Sequence, residues 1–193
     1  MTASVIKLSP NASDHHIAQL AACAIALAVV EASIPSPIPG LKPGLANIVT
    51  LIALVRMGWQ AAAWVSLLRI LGASILLGGI FSPGFVMSLS GGITSLLVLA
   101  LTQHLPKRWF GLVTCSMLAA VAHFAGQLIV ARLWLIPHNG IVVLIPILSG
   151  MALLFGVVNG LIACRILRDA TAIRSEESYS STKNTKVTNT LQD

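Results

Sequence analysis

Acidic side chains are scarce in this chain: Asp and Glu number six among 193 residues, at Asp14, Glu31, Asp169, Glu176, Glu177 and Asp193. The only adjacent pair lies in the polar C-terminal stretch, so no cluster of carboxylates is set up to hold magnesium through oxygen ligands. Cysteine is equally sparse. Cys23, Cys115 and Cys164 sit within apolar segments without paired or metal-ligand spacing and read as small packing residues, so no metal site and no cofactor is expected. No glycine-rich loop of the Walker type is present, and no nucleophile stands at a supportive spacing from a base. Charged residues make up only 9% of the chain, too few to cover a soluble globule of this length. Aromatics are 5%, and ten-residue segments alternating polar with apolar are missing, which excludes a lipid-embedded β-barrel.

What is present is apolar. Hydrophobic residues are 56% of the chain and mean hydropathy is +0.88. In lipid the backbone must satisfy its own hydrogen bonds, so these runs predict an all-α integral membrane protein. Measured against roughly 20 residues per span, there are six candidates in one bundle. They cover His16 to Ile34, a short Leu45 to Met57, Gln60 to Ile80, Pro83 to His104, Leu112 to Ile136, and Ile141 to Leu167. Ser13 or Asp14 can cap the first, and Ser82 with Pro83 suits the cap and first turn of the fourth. The expected organisation is a cytoplasmic N-terminal segment 1–15, a transmembrane domain 16–168, and a disordered polar tail 169–193. Met1 to His15 does not read as a cleavable signal peptide.

The net charge of +6 comes from Lys and Arg scattered through joins and tail, not from one basic stripe, which argues against nucleic acid. Arg56, Lys107 with Arg108, and Arg165, Arg168 and Arg174 fall in joins that a six-span bundle places on one side. That side is expected to be cytoplasmic, giving a multi-pass protein of the cell (inner) membrane with both termini inside. The opposite face then carries the first join, where Pro35, Pro37, Pro39 and Pro43 alternate with Gly40, Gly44 and a single Lys42. Such a ribbon is stiff and non-helical, as a lid or ligand-facing loop would be.

Ionisable groups inside spans are costly, by at least about 2.5 kcal/mol near the bilayer centre, so they mark candidate sites. Arg69 falls near the middle of the third span, Glu31 and Arg132 each about one turn from an outer end. The matched depth of the last two predicts an ion pair, either structural or orienting a ligand site. Arg69 has no acid expected at its depth. Its polar company is His123 and Gln127, four apart on one face of the fifth span, with Asn47 in the second and Asn159 in the sixth. A guanidinium among amides can receive an anionic or carbonyl-bearing ligand, with Lys42 closing from the ribbon. It can equally be satisfied by helix-end carbonyls or snorkel. Ala18, Ala22 and Ala26 line one face of the first span, suited to internal packing or to docking a partner subunit.

Four stretches taken together, PGLKPGLANIVTLIAL, SLLRILG at Ser66 to Gly72, FSPGFVMSLSGG, and VAHFAGQLIVA around His123, resemble the heptaprenyl diphosphate synthase component I family, also called the Gx transporter family. Pro43 departs from the apolar residue expected there. The resemblance implies a fold similar to the substrate-binding components of energy-coupling-factor transporters and, by name, a link to isoprenoid chain synthesis. Two functions follow as expectations. One is a small-molecule-binding transporter component, its ligand held by Arg69, His123, Gln127, Asn47 and Lys42, working with a membrane coupling subunit and ATPases. The alternative is a non-catalytic membrane accessory of a soluble prenyl diphosphate synthase in isoprenoid quinone biosynthesis, because prenyl elongation needs the paired carboxylates missing here. A scaffold in a membrane redox or quinone assembly is a third, blander option.

Overall fold

A computed structural model describes residues 11–33, 44–105, 111–135 and 141–190. Its described residues form helices and turns: α1 (Ala12–Ser33), α2 (Ala46–Met57), α3 (Trp59–Leu76), α4 (Pro83–Gln103), α5 (Leu112–Val130), which runs on into a π-helical turn (Ala131–Leu135), and α6 (Ile141–Thr190). Five of the helices are long and apolar enough to cross a membrane, while α2 is too short to do so by itself. Large apolar side chains such as Trp64, Ile75, Leu101 and Leu161 are exposed on the outside of the bundle. In a lipid solvent that surface is the stable one. The chain is therefore a multi-pass helical membrane protein.

The shortness of α2 follows from its position. Seven of its twelve residues, among them Ile48, Val49, Leu51 and Leu54, are buried. They form the core with Ala24 of α1, Ala62 and Val65 of α3, Leu99 of α4, Ala119 of α5 and Ala163 of α6. A helix wrapped by five others need not match the hydrocarbon thickness. One residue, Gly58, turns the chain from α2 into α3. Its φ of 89° and ψ of −177° belong to a region that costs a side-chain-bearing residue energy, and its N–H caps α2 on Leu54 O.

The α3–α4 turn is equally determined by sequence. Gly78, at φ 67°, ends α3 with its N–H on Ile75 O while the Gly79 N–H returns to Ser74 O, the paired bonds of a Schellman close. Ser82 then caps α4, its Oγ accepting from the Phe85 N–H at 3.2 Å, with Pro83 in the first turn. The cap expected from the sequence is present. Helices α4, α5 and α6 approach much more closely. A Cβ at Gly91 would stand 2.9 Å from His123 O, one at Gly126 2.8 Å from Ser90 O, and one at Gly160 2.8 Å from Val113 Cα. Thr94 Oγ1 donates across this contact to Ala122 O at 2.8 Å, and Ser90 Oγ to Gly126 O at 3.1 Å. Small residues let backbones meet, and hydroxyls then bond to the carbonyls they reach.

Three boundaries differ from those the sequence predicts. Helix α1 begins at Ala12 instead of His16, because Asn11 and not Ser13 occupies the capping position; Asp14 does take part, accepting the Asn11 N–H at 2.9 Å. Helix α3 closes at Leu76, short of the expected Ile80, because Gly78 and its neighbours terminate it. The backbone from 169 to 190, expected to be a disordered tail, is helical and continuous with α6. The start of that extension includes good helix formers at Ala170, Ala172 and Arg174, so a helix already nucleated in the apolar part propagates at little cost. The proline ribbon, apart from Gly44, lies outside the described residues.

Candidate functional site

Arg69 is the only buried Lys or Arg among the described residues. It stands on α3 between buried Ser66 and Ile70, about two turns before the Schellman close. Its Nη1 donates to Asn47 Oδ1 at 2.7 Å, which ties α3 to the first turn of α2. Helix α2 is fixed from two more directions. Glu31 Oε1, near the end of α1, accepts the Leu45 N–H at 2.8 Å, and Asn159 Nδ2 of α6 donates to Gly44 O at 3.1 Å. No side chain of its own caps α2, so groups on α1 and α6 take up backbone atoms at its start.

Two of the bonded residues, Arg69 and Glu31, line a cavity of about 370 Å³. Ala28 and Glu31 come from α1, Ala46 from α2, Arg69, Ile70 and Ser74 from α3, Ser82 from the turn, Phe85 and Ser88 from α4 and His123 from α5. The cavity thus sits at the end of the bundle where α1 and α3 finish and α2 and α4 begin. Arg56 lies in the last turn of α2, at that helix's other end. Deeper in, a void of about 20 Å³ is lined by Asn47, Thr50, Ser95, Ser116 and Asn159. Thr50 Oγ1 there is enclosed without a hydrogen-bond partner among the described residues. Asn47 separates the two spaces, holding Arg69 on one side and lining the void on the other.

Of the residues singled out from sequence, Arg69, His123 and Glu31 line one cavity, and Asn47 and Gln127 touch its walls. His123 Nε2 is 3.1 Å from Gln127 Nε2; with the amide donating, the imidazole carries its proton on Nδ1. Lys42 lies outside the described residues. Arg132 is half-buried in the π-helical turn and does not line the cavity. Ala18, Ala22 and Ala26 are not part of the buried face of α1, whose buried alanines are Ala21 and Ala24. No group of three or more His, Cys, Asp or Glu able to hold a metal occurs among the described residues.

The sequence predicts no acid at the depth of Arg69, and the structure corrects this: Glu31 lines the same cavity. The cause is the early end of α3, which sets Arg69 closer to the helix terminus than a span reaching Ile80 would. Ser74, Ser82 and Ser88 also place hydroxyls on the cavity, and hydropathy does not single them out. Only Ser82 carries a signal, as a cap before proline.

Fold and site together define a polytopic helical membrane protein with a polar cavity at one end of its bundle. Within that class, the chain belongs to the heptaprenyl diphosphate synthase component I family, whose profile matches residues 20–166. All four stretches that carry the resemblance fall inside the matched region. No curated protein and no solved structure matches the chain.

Proposed function

We propose that the protein is a non-catalytic membrane subunit of a polyprenyl diphosphate synthase, holding a soluble catalytic partner at the bilayer where the growing chain becomes insoluble. The family match over residues 20–166 carries this reading. The scarcity of carboxylates supports it, since the chain has no paired aspartates to bind magnesium diphosphate and would depend on a partner for the chemistry. In this reading the joins bearing Arg56 and Lys107 with Arg108, and the helical extension of α6, face the cytoplasm of an inner-membrane protein and meet the partner. Reconstituting the full chain in liposomes with the candidate soluble subunit tests it. Product formation should require both, and a variant lacking Ile173 to Asp193 should bind the partner less well. Full activity from the soluble subunit without this chain would end the proposal.

The cavity favours a second reading, a small-molecule-binding transport component similar to an energy-coupling-factor specificity subunit. A buried arginine lining about 370 Å³ of open space is a feature that partner anchoring alone does not call for. Arg69, His123, Gln127, Asn47 and Lys42 would contact or shape the ligand, with a coupling subunit and ATPases supplying the work, and the Ala18, Ala22 and Ala26 face free to dock that subunit. Pairing of Glu31 with Arg132 belongs to this reading as an orienting contact. Exchange of the two charges should restore whatever either single substitution removes; failure of that rescue would leave Glu31 to Arg69 alone.

A further inference from the structure

The charges in the cavity define what kind of ligand it fits. Arg69 is 8% exposed, and its single hydrogen bond to Asn47 leaves the other guanidinium N–H groups without an acceptor among the described residues. Glu31 is 5% exposed, and one of its oxygens takes the Leu45 N–H while the other has no donor among the described residues. Both side chains line the same space. Buried ionised groups are normally paired and hydrogen-bonded more fully than this. A third group, His123 Nδ1, is enclosed at the cavity wall without a hydrogen-bond partner among the described residues. The unused capacity therefore includes donors on Arg69 and an acceptor on Glu31.

A simple oxyanion would satisfy the arginine and at the same time bring a like charge toward Glu31. A simple cation would do the reverse. We propose that the cavity binds a ligand of no net charge that presents an acceptor, carboxylate or carbonyl, to Arg69 and an N–H or ammonium donor to Glu31, as a zwitterion or an amide-bearing heterocycle does. Ile70, Leu77 and Phe85 offer apolar surface to the body of such a molecule. The inference rests on the second reading, that the cavity holds a ligand, and narrows it from an anionic ligand to an amphoteric one.

Native mass spectrometry of the full chain, extracted gently from its own membrane, is the first arm of the test. A retained molecule with both acceptor and donor groups and no net charge is expected. Glu31→Gln and Arg69→Gln should each lower its retention about tenfold, the scale of losing a charge-assisted hydrogen bond. Glu31→Gln keeps an oxygen for the Leu45 N–H and so keeps the fold. The second arm is thermal unfolding with three probes of one shape: L-phenylalanine, 3-phenylpropionate and 2-phenylethylamine, with inorganic phosphate beside them. Phenylalanine should raise Tm more than either singly charged relative. Stabilisation by phenylpropionate or phosphate that equals it, and grows in Glu31→Gln, would overturn the inference while leaving a ligand-binding protein. The retained molecule decides if the probes are silent, and no retained molecule together with no shift would remove both the inference and the reading beneath it.

Discussion

The two sides of the bundle use the same kinds of residue to opposite ends. Across α4, α5 and α6, Gly91, Gly126, Gly156 and Gly160 bring backbones together until a Cβ would overlap its neighbour, and Ser90 and Thr94 spend their hydroxyls on facing carbonyls. Across α1, α2 and α3, small residues such as Ala28, Ala46 and Ala73 border open space, and Arg69 and Glu31 keep bonding capacity unspent. Without a hydrophobic drive between helices in lipid, stability depends on close packing and on satisfied polar groups. The closed side is closely packed and satisfies its Ser90 and Thr94 hydroxyls. The open side forgoes part of each, which is the usual mark of a functional region placed on a stable support.

The sharpest way to break the contrast is to overfill the closed side. Gly160→Val would press a branched side chain against Val113 Cα, backbone that cannot give way. Loss of folded protein in detergent is expected, from overpacking worth about 1–3 kcal/mol or more. Introducing the same side chain on the open side, Ala73→Val, should be tolerated, because Ala73 borders the cavity. Equal loss from both would abolish the distinction.

Next in size is Asn47→Ala, which removes the one hydrogen bond that the buried guanidinium makes among the described residues. It should cost about 1–3 kcal/mol of stability, read as a lower thermal midpoint. Gly58→Ala tests a backbone effect alone, since nothing lies within 4 Å of the added Cβ. Its φ of 89° still makes about 1–3 kcal/mol of destabilisation the expected result. Ser82→Ala, removing the α4 cap at the cavity rim, should cost about 1 kcal/mol and be largely restored by Ser82→Asp. Smallest is Glu31→Gln. Its effect on thermal stability should be slight, because the Leu45 N–H keeps its acceptor, and a large loss would mean that the carboxylate is structural.

Elements governed by local chemistry are legible in the sequence. Pro83 after Ser82 announces the start of α4, and the brevity of the second apolar run announces a helix unlike the others. The site is legible as a set of residues, since polar groups in an apolar chain stand out, but not as an arrangement. That Arg69 meets Asn47 depends on α2 beginning inside the bundle, at Ala46 with 1% exposure. That Glu31 shares the cavity depends on where α3 stops. Relative helix heights come from tertiary packing and have no signature in hydropathy. The helical continuation past Asp169 escapes a sequence reading for another reason: its polar residues show no apolar face, yet helix extends readily from a formed nucleus.

Arg69 and Glu31 line one cavity, and the proposal is that a ligand lies between them. A cryo-EM map of the full chain in nanodiscs of its own lipid, with a bound antibody fragment as fiducial, addresses it most directly. Density bridging the Arg69 guanidinium and the Glu31 carboxylate, with Asn47 still holding Nη1, is the predicted result. A collapsed cavity, with the guanidinium in direct bidentate contact with the carboxylate and nothing between them, would contradict the account and make the pair structural.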